Sequence, residues 1–363
     1  MPNIWAHIQF GREVIQEQLS DAAGPLANAG LGRLITDGSW KRAFQFGCQG
    51  PDFLFYHRFL PWQAKTALNR LGSQMHSVRC GPFLLSLLQA VSARPFSDPA
   101  FGFAYGFLLH HILDRNLHPF VFSRSGFRKW HHQRFETAMD AVVMQRRAGI
   151  LTGSTPVAPE IDTNGRIPGE LTEVFHRLVC EHYPAFAAQI TPDQLDEAVA
   201  EMTRAQRLFF DPRGWKGKLL FGQIAPFSPP RRMPVWDVLN DKHAPWVDPS
   251  DRTVSYTMSS DDLWEAARGD ARTTAGAALA WLSAERDSAS FVLTASEERG
   301  EDAPFTLTAP GERSGDAHPA APKREDAARL RAAFADALGN VSYETGRTCG
   351  TAWITYADSV VPN

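Results

Sequence analysis

An acidic side chain sits inside an oily run at Gly106-Phe107-Leu108-Leu109-His110-His111-Ile112-Leu113-Asp114, with His110 four residues before it and His118 four after it. Four residues is about one turn of an α-helix, so in a helical run the three side chains stack on one face and can share an ion. A carboxylate in such company costs several kcal/mol unless it is paired or bound to a cation. The stretch predicts a buried helix built around a metal.

The spacing recurs at His132-Gln133-Arg134-Phe135-Glu136, eighteen residues beyond Asp114. Eight of the twelve histidines fall at or before position 132, which places any chemistry in the first part of the chain. The full candidate set is His7, Asp52, His76, His110, Asp114, His118, His132 and Glu136. A single zinc takes about four ligands, so this many donors predict a cluster of two or three ions. Imidazole and carboxylate without thiolate suit zinc, although manganese and iron use similar donors. His111 is an alternative to His110 as the partner of Asp114, while His57 and His131 read as structural or surface residues.

Helical periodicity dominates the rest. Asp98-Pro99 is an N-cap and first-turn proline opening a helix to about Asn116. Further helices are expected at His7–Leu19, Ser73–Ala93, Trp130–Arg147, Gly169–His182, Asp261–Glu285 and Arg324–Leu338, and Thr191-Pro192-Asp193-Gln194 is a capping box for one to Phe210. With no series of β-branched strands, the class is all-α. Thr152–Pro168, with three prolines and two glycines, reads as a linker or ordered loop. The expected organisation is a metal-binding domain at 1–150, an additional helical region at 151–287, a disordered segment at 288–323 and a C-terminal helix and tail at 324–363. Within 288–323, short extended pieces are conceivable at Phe291–Leu293 and Phe305–Leu307.

A balance of 37 basic against 40 acidic residues offers no global field for nucleic acid or an anionic bilayer, so contact with lipid or phosphate has to be local. No secretory signal opens the chain and no apolar run is long enough to cross a bilayer, which predicts a cytoplasmic protein. Cys48, Cys80, Cys180 and Cys349 are scattered and read as reduced thiols. Trp215, Trp236, Trp246 and Trp264 read as packing residues.

Over roughly residues 1–140 the chain resembles the bacterial zinc-dependent phospholipase C family, related in fold to the P1-type nucleases. The residues that carry this are Met1-Pro2-Asn3-Ile4-Trp5-Ala6-His7, Gly47-Cys48-Gln49-Gly50-Pro51-Asp52, Leu71-Gly72-Ser73-Gln74-Met75-His76, His110-x-x-x-Asp114, His118 and His132-x-x-x-Glu136. The resemblance implies an all-α bundle with additional C-terminal helices and a cluster of two or three Zn2+ ions. It assigns Asp52, His76, His110 and Asp114 to one ion, His118, His132 and Glu136 to a second, and a bridge from Asp114 towards a third with His7. It takes His110 as the ligand and leaves His111 beside it. The chain departs from the pattern at the third ion, where the relatives use the free amino group and carbonyl of an N-terminal tryptophan exposed by processing, and no cleavage is evident before Trp5. Glu136 stands where the nuclease branch usually has Asp, which favours the phospholipase branch.

By the same resemblance Asp52 both touches zinc and orients or deprotonates the attacking water, and a phospholipid would yield diacylglycerol and a phosphorylated headgroup. Phe53, Phe55 and Tyr56 are candidates for lining a headgroup or acyl pocket and equally for helix packing. Arg115, Arg124, Arg128 and Arg134 are candidates for phosphate contact. A zinc phosphohydrolase of nucleotides, nucleic acid or another phosphate ester is the alternative, and a non-catalytic protein braced by metal is a second. Nucleic acid is not an expected partner, and contact with a membrane surface would be transient.

Overall fold

The computed structural model describes residues 3–297 and 320–362, apart from 23, 29, 34, 37 and 61. Its α-helices of five or more residues are α1 (Ile4–Ser20), α2 (Gly38–Gly47), α3 (Ala67–Ser77), α4 (Cys80–Ala90), α5 (Pro99–Ser125), α6 (His131–Ala148), α7 (Thr172–His182), α8 (Pro192–Phe209), α9 (Trp215–Leu219), α10 (Ser260–Glu297) and α11 (Ala320–Leu338). The protein is all-α. A two-stranded antiparallel ribbon, β1 (Trp246–Asp248) with β2 (Asp251–Tyr256), is a minor addition that periodicity did not reveal. Its strands are short, and the turn between them is made by Asp248 Oδ1 accepting the Ser250 and Asp251 N–H groups.

The axis of the bundle is α5, capped by Asp98 through the Ala100 N–H and buried at every residue from Ala100 to Asp114. Gly47 and Gly106 let α2 lie against it, since a Cβ at Gly47 would collide with the Phe103 carbonyl and one at Gly106 with the Phe44 carbonyl. One apolar core runs from Ile4 through Phe107, Phe175 and Trp281 to Val361, so the helices after residue 150 share it with those before.

Three elements differ most from the sequence expectation. Helix α5 continues past Asn116 to Ser125, through Pro119, because packing on all sides outweighs the lost helical hydrogen bond. The helix expected at Ser73–Ala93 is two helices, broken at Arg79, whose backbone is left-handed at φ 53°. Helix α10 runs on to Glu297, so Phe291–Leu293 is helical rather than extended. Residues 298–319, with Phe305–Leu307 and most of the segment expected to be disordered, lie outside the described residues. Helix α11 packs on α10 with Phe334 stacked on Trp281, ring centroids 5.6 Å apart. Trp246 and Trp264 are buried as expected, but Trp215 is 75% exposed and is no packing residue.

Candidate metal centre

Three stretches of backbone aim the central histidines. His110 Nδ1 meets the Cys48 carbonyl at 3.1 Å, His76 Nδ1 the Gly72 carbonyl at 2.7 Å, and His118 Nδ1 the Tyr343 carbonyl at 3.2 Å. A carbonyl can only accept, so each Nδ1 carries a hydrogen and each ring, in its neutral form, turns an Nε2 lone pair the other way. Gly50, at φ +50°, makes room for this, because a Cβ there would overlap the His110 ring.

The eight predicted side chains fall in three groups, the donor atoms of each lying within 4.8 Å of one another: His7 with His110 and Asp114, and Asp52 with His76 and His110, which share His110, and a separate group of His118 with His132 and Glu136. Asp114 Oδ1 is 3.3 Å from His7 Nε2, and its Oδ2 is 3.2 Å from His110 Nε2 and 3.9 Å from His118 Nδ1. Asp52 Oδ1 is 3.1 Å from His76 Nε2, and Glu136 Oε1 is 2.6 Å from His132 Nε2.

The innermost contacts are not hydrogen bonds. Both Asp114 oxygens, His110 Nε2 and both His7 ring nitrogens are buried without a hydrogen-bond partner. Buried polar atoms are almost always satisfied, and a ring lone pair facing a carboxylate oxygen is repulsive until positive charge comes between them. The donor set therefore fits a divalent cation of the zinc type. Burial alone would raise the Asp114 carboxyl, but His110, His118 and His7 hold it well below the usual range. Burial in turn pushes the His7 and His118 rings down. Burial also opposes charge on His76, but Asp52 more than offsets it and the ring titrates higher than usual.

Helix α1 is seated by Asp140, whose carboxylate accepts the N–H groups of Trp5 and Ala6 at 3.2 and 2.7 Å and so places His7.

Other expected residues divide. Phe53 is buried against Phe46 and Phe175 and belongs to the core, whereas Phe55 is half-exposed, with its ring 5.3 Å from His76. Tyr56 turns its hydroxyl to Gln206 Nε2 at 3.0 Å, and burial, with the nearby Asp52 and Glu136 charges, pushes the phenol up. Arg115 is held by Asp270 at 2.5 and 2.7 Å and by the Leu338 carbonyl, so it is committed to the scaffold. His57 is buried, with Nδ1 2.9 Å from Thr66 Oγ1 and Nε2 3.2 Å from Glu197 Oε2, and with Glu197 and Glu201 it forms a further group of possible donors away from the eight. His111 donates from Nε2 to the Val341 carbonyl at 2.8 Å, which explains why His110 and not His111 faces Asp114.

Sequence reasoning missed Tyr343. Its buried ring lies 5.1 Å from His76, 5.6 Å from His110 and 4.5 Å from His111. No local pattern marks it, because its contacts span more than two hundred residues.

Residues 6–185 match the sequence model of a family described as zinc dependent phospholipase C, a span that contains all eight donors and excludes Tyr343. No curated protein and no solved structure matches the chain.

Proposed function

Since the chain belongs, through residues 6–185, to the zinc-dependent phospholipase C family, we propose that it hydrolyses phosphodiesters, with a phospholipid as substrate and diacylglycerol and a phosphorylated headgroup as products. The observation that carries this is the convergence of Asp114, His7 and His110 in a buried set of donors lacking hydrogen bonds, flanked by two further groups. The donors of one ion are Asp52, His76 and His110; those of a second are His118, His132 and Glu136; Asp114 and His7 serve a third or bridge. Bound zinc supplies a positive field for the phosphate oxygens and makes nearby water easier to deprotonate.

The chain's own groups then divide the work by exposure. Asp114 is sealed at 0% side-chain exposure, while Asp52 retains 11%, Glu136 13% and His132 23%. Asp52 and Glu136 are thus the less sealed carboxylates, and, as the family resemblance implies, Asp52 is the one that orients an attacking water and takes its proton on an oxygen. Phe55 forms the rim beside it and Tyr56, kept protonated, offers a hydroxyl rather than a charge.

A surface patch favours lipid over nucleotide. Residues 212–236 hold five basic and no acidic side chains, Arg213, Lys218, Arg231 and Arg232 among them exposed, in a chain of net charge -3. Within it Trp215, Leu219 and Phe221 are each at least three-quarters exposed. Phe227 joins this segment to the lip of the site, packing 5.0 Å from Trp130, which precedes His131 and His132. Aromatic tips with interspersed cations suit transient contact with an anionic or zwitterionic membrane surface. Cytoplasmic action is part of the same proposal. The test is hydrolysis of phosphatidylcholine vesicles alongside a bis(nitrophenyl) phosphate and a nucleotide; release of diacylglycerol supports the reading, and turnover of the nucleotide alone defeats it.

A further inference from the structure

The most heavily used structure outside the family match is a hairpin at residues 340–349. It is closed by Cys349 N–H to the Asn340 carbonyl at 2.8 Å and Ser342 N–H to the Arg347 carbonyl at 2.8 Å, with Val341 bridged to Thr348. Its inner strand grips the metal centre from behind. The Val341 carbonyl takes the His111 hydrogen, the Tyr343 carbonyl takes that of His118, and the His76 carbonyl accepts both the Tyr343 N–H at 2.9 Å and the Ser342 hydroxyl at 3.0 Å. The break between α3 and α4 is what leaves the His76 carbonyl available.

The fit is close at both ends. A Cβ at Gly81 would overlap the Gly339 carbonyl, and one at Gly346 would overlap the Arg115 carbonyl, which Pro119 deprives of its helical N–H. Only non-covalent contacts hold this hairpin, and it follows α11 and the undescribed residues 298–319. At its final residue the Cys349 sulfur lies 3.3 Å from the sulfur of Cys80, the first residue of α4.

We propose that Cys80 and Cys349 are a modification site, forming a reversible disulfide that pins the hairpin, and with it the backbone of His76 and His118, to α4. The reaction requires an oxidant of the low-molecular-weight disulfide class. The Cys349 thiolate attacks oxidised glutathione, one glutathione thiolate leaves and takes up a proton, and a mixed disulfide forms on Cys349. Cys80 then gives up its proton and attacks the Cys349 sulfur, expelling the second glutathione. Two protein thiols lose two electrons and two protons, and one glutathione disulfide becomes two thiols. Cys349 is the partly exposed member, and hydrogen bonding with Cys80 draws its thiol down to about 7, so it is the attacking group. Burial holds Cys80 protonated until the second step.

The bridge itself does not depend on the phosphodiesterase reading; only its bearing on metal-binding histidines does. The full-length, metal-free protein is incubated with oxidised glutathione, and its thiols are counted after denaturation. Wild type starts with four cysteines and should retain two free thiols, with a cross-linked peptide joining Cys80 to Cys349. Cys349→Ser should keep all three of its remaining thiols, whereas Cys80→Ser should lose one, to a glutathione adduct trapped on Cys349. Hydrogen exchange at the Tyr343 amide, which donates to the His76 carbonyl, should slow several-fold in the oxidised wild type and be unaffected in Cys349→Ser. In the wild type, four surviving thiols, a bridge to Cys48 or Cys180, or a stable glutathione adduct on Cys349 overturns the site. Unchanged Tyr343 exchange in a correctly bridged protein overturns the clamp.

Discussion

His7 Nε2 stands 3.3 Å from Asp114 Oδ1 in a fully buried pocket, yet neither atom has a hydrogen-bond partner. Such an arrangement is unfavourable as drawn and becomes favourable once a cation joins the two. Elemental analysis of the purified protein should therefore find two or three equivalents of zinc, and a content of one or none would end the cluster reading. Asp114→Asn should lose metal and hydrolysis together.

Asp52 is separable from Asp114 because it is the less sealed of the two. With saturating zinc, Asp52→Asn should lower kcat by about 10²- to 10⁴-fold with little change in KM, as expected for a lost proton acceptor. Steady-state kinetics at several zinc concentrations checks this; full activity in the variant would remove Asp52 from the chemistry.

His111 carries a pH dependence. Burial, with Arg115 close by, lowers its pKa from the ordinary 6.5 to about 3. Below 6.5 the unfolded chain takes up this proton and the folded chain does not, so folding stability falls as pH drops from 6.5 towards 3, at up to about 1.4 kcal/mol per pH unit. Urea titrations of metal-free wild type and His111→Gln across that window should show a shallower slope in the variant. Equal slopes would mean that His111 is not the group responsible.

Gly50→Ala should be costly for two reasons, a positive φ and an overlap with the His110 ring. The expected loss is about 1–3 kcal/mol of stability, accompanied by weaker zinc retention. Calorimetry with and without zinc measures both.

Trp215 and Phe221 test the membrane patch. Trp215→Ala combined with Phe221→Ala should weaken vesicle binding by about tenfold or more, since each aromatic side chain is worth roughly 1.5–3 kcal/mol on transfer from water. Hydrolysis of a soluble diester should be unchanged. Vesicle sedimentation alongside a soluble assay separates these, and a parallel loss in both would assign the residues to folding.

Spacing alone marks His110 with Asp114, His118, and His132 with Glu136, each pair one turn apart, whereas His7, Asp52 and His76 stand out through the family resemblance. The helices were equally readable where a cap marks them, as at Asp98-Pro99 and Thr191. What could not be read depends on distant partners. Nothing near Pro119 announces that α5 continues through it, because its surroundings come from other helices and from Gly346. The break at Arg79 makes sense only beside Ser342 and Tyr343, and Trp215 has the composition of a core residue while standing in solvent.

That the His76 carbonyl is shared with Ser342 and Tyr343 means the first 150 residues cannot be transplanted as a self-sufficient metal centre. A fragment ending near residue 150 would keep the complete inventory of donors while leaving that carbonyl stranded and His118 without the oxygen that fixes its tautomer. Any chimera or minimised version has to carry the tail hairpin along, or build a replacement for it.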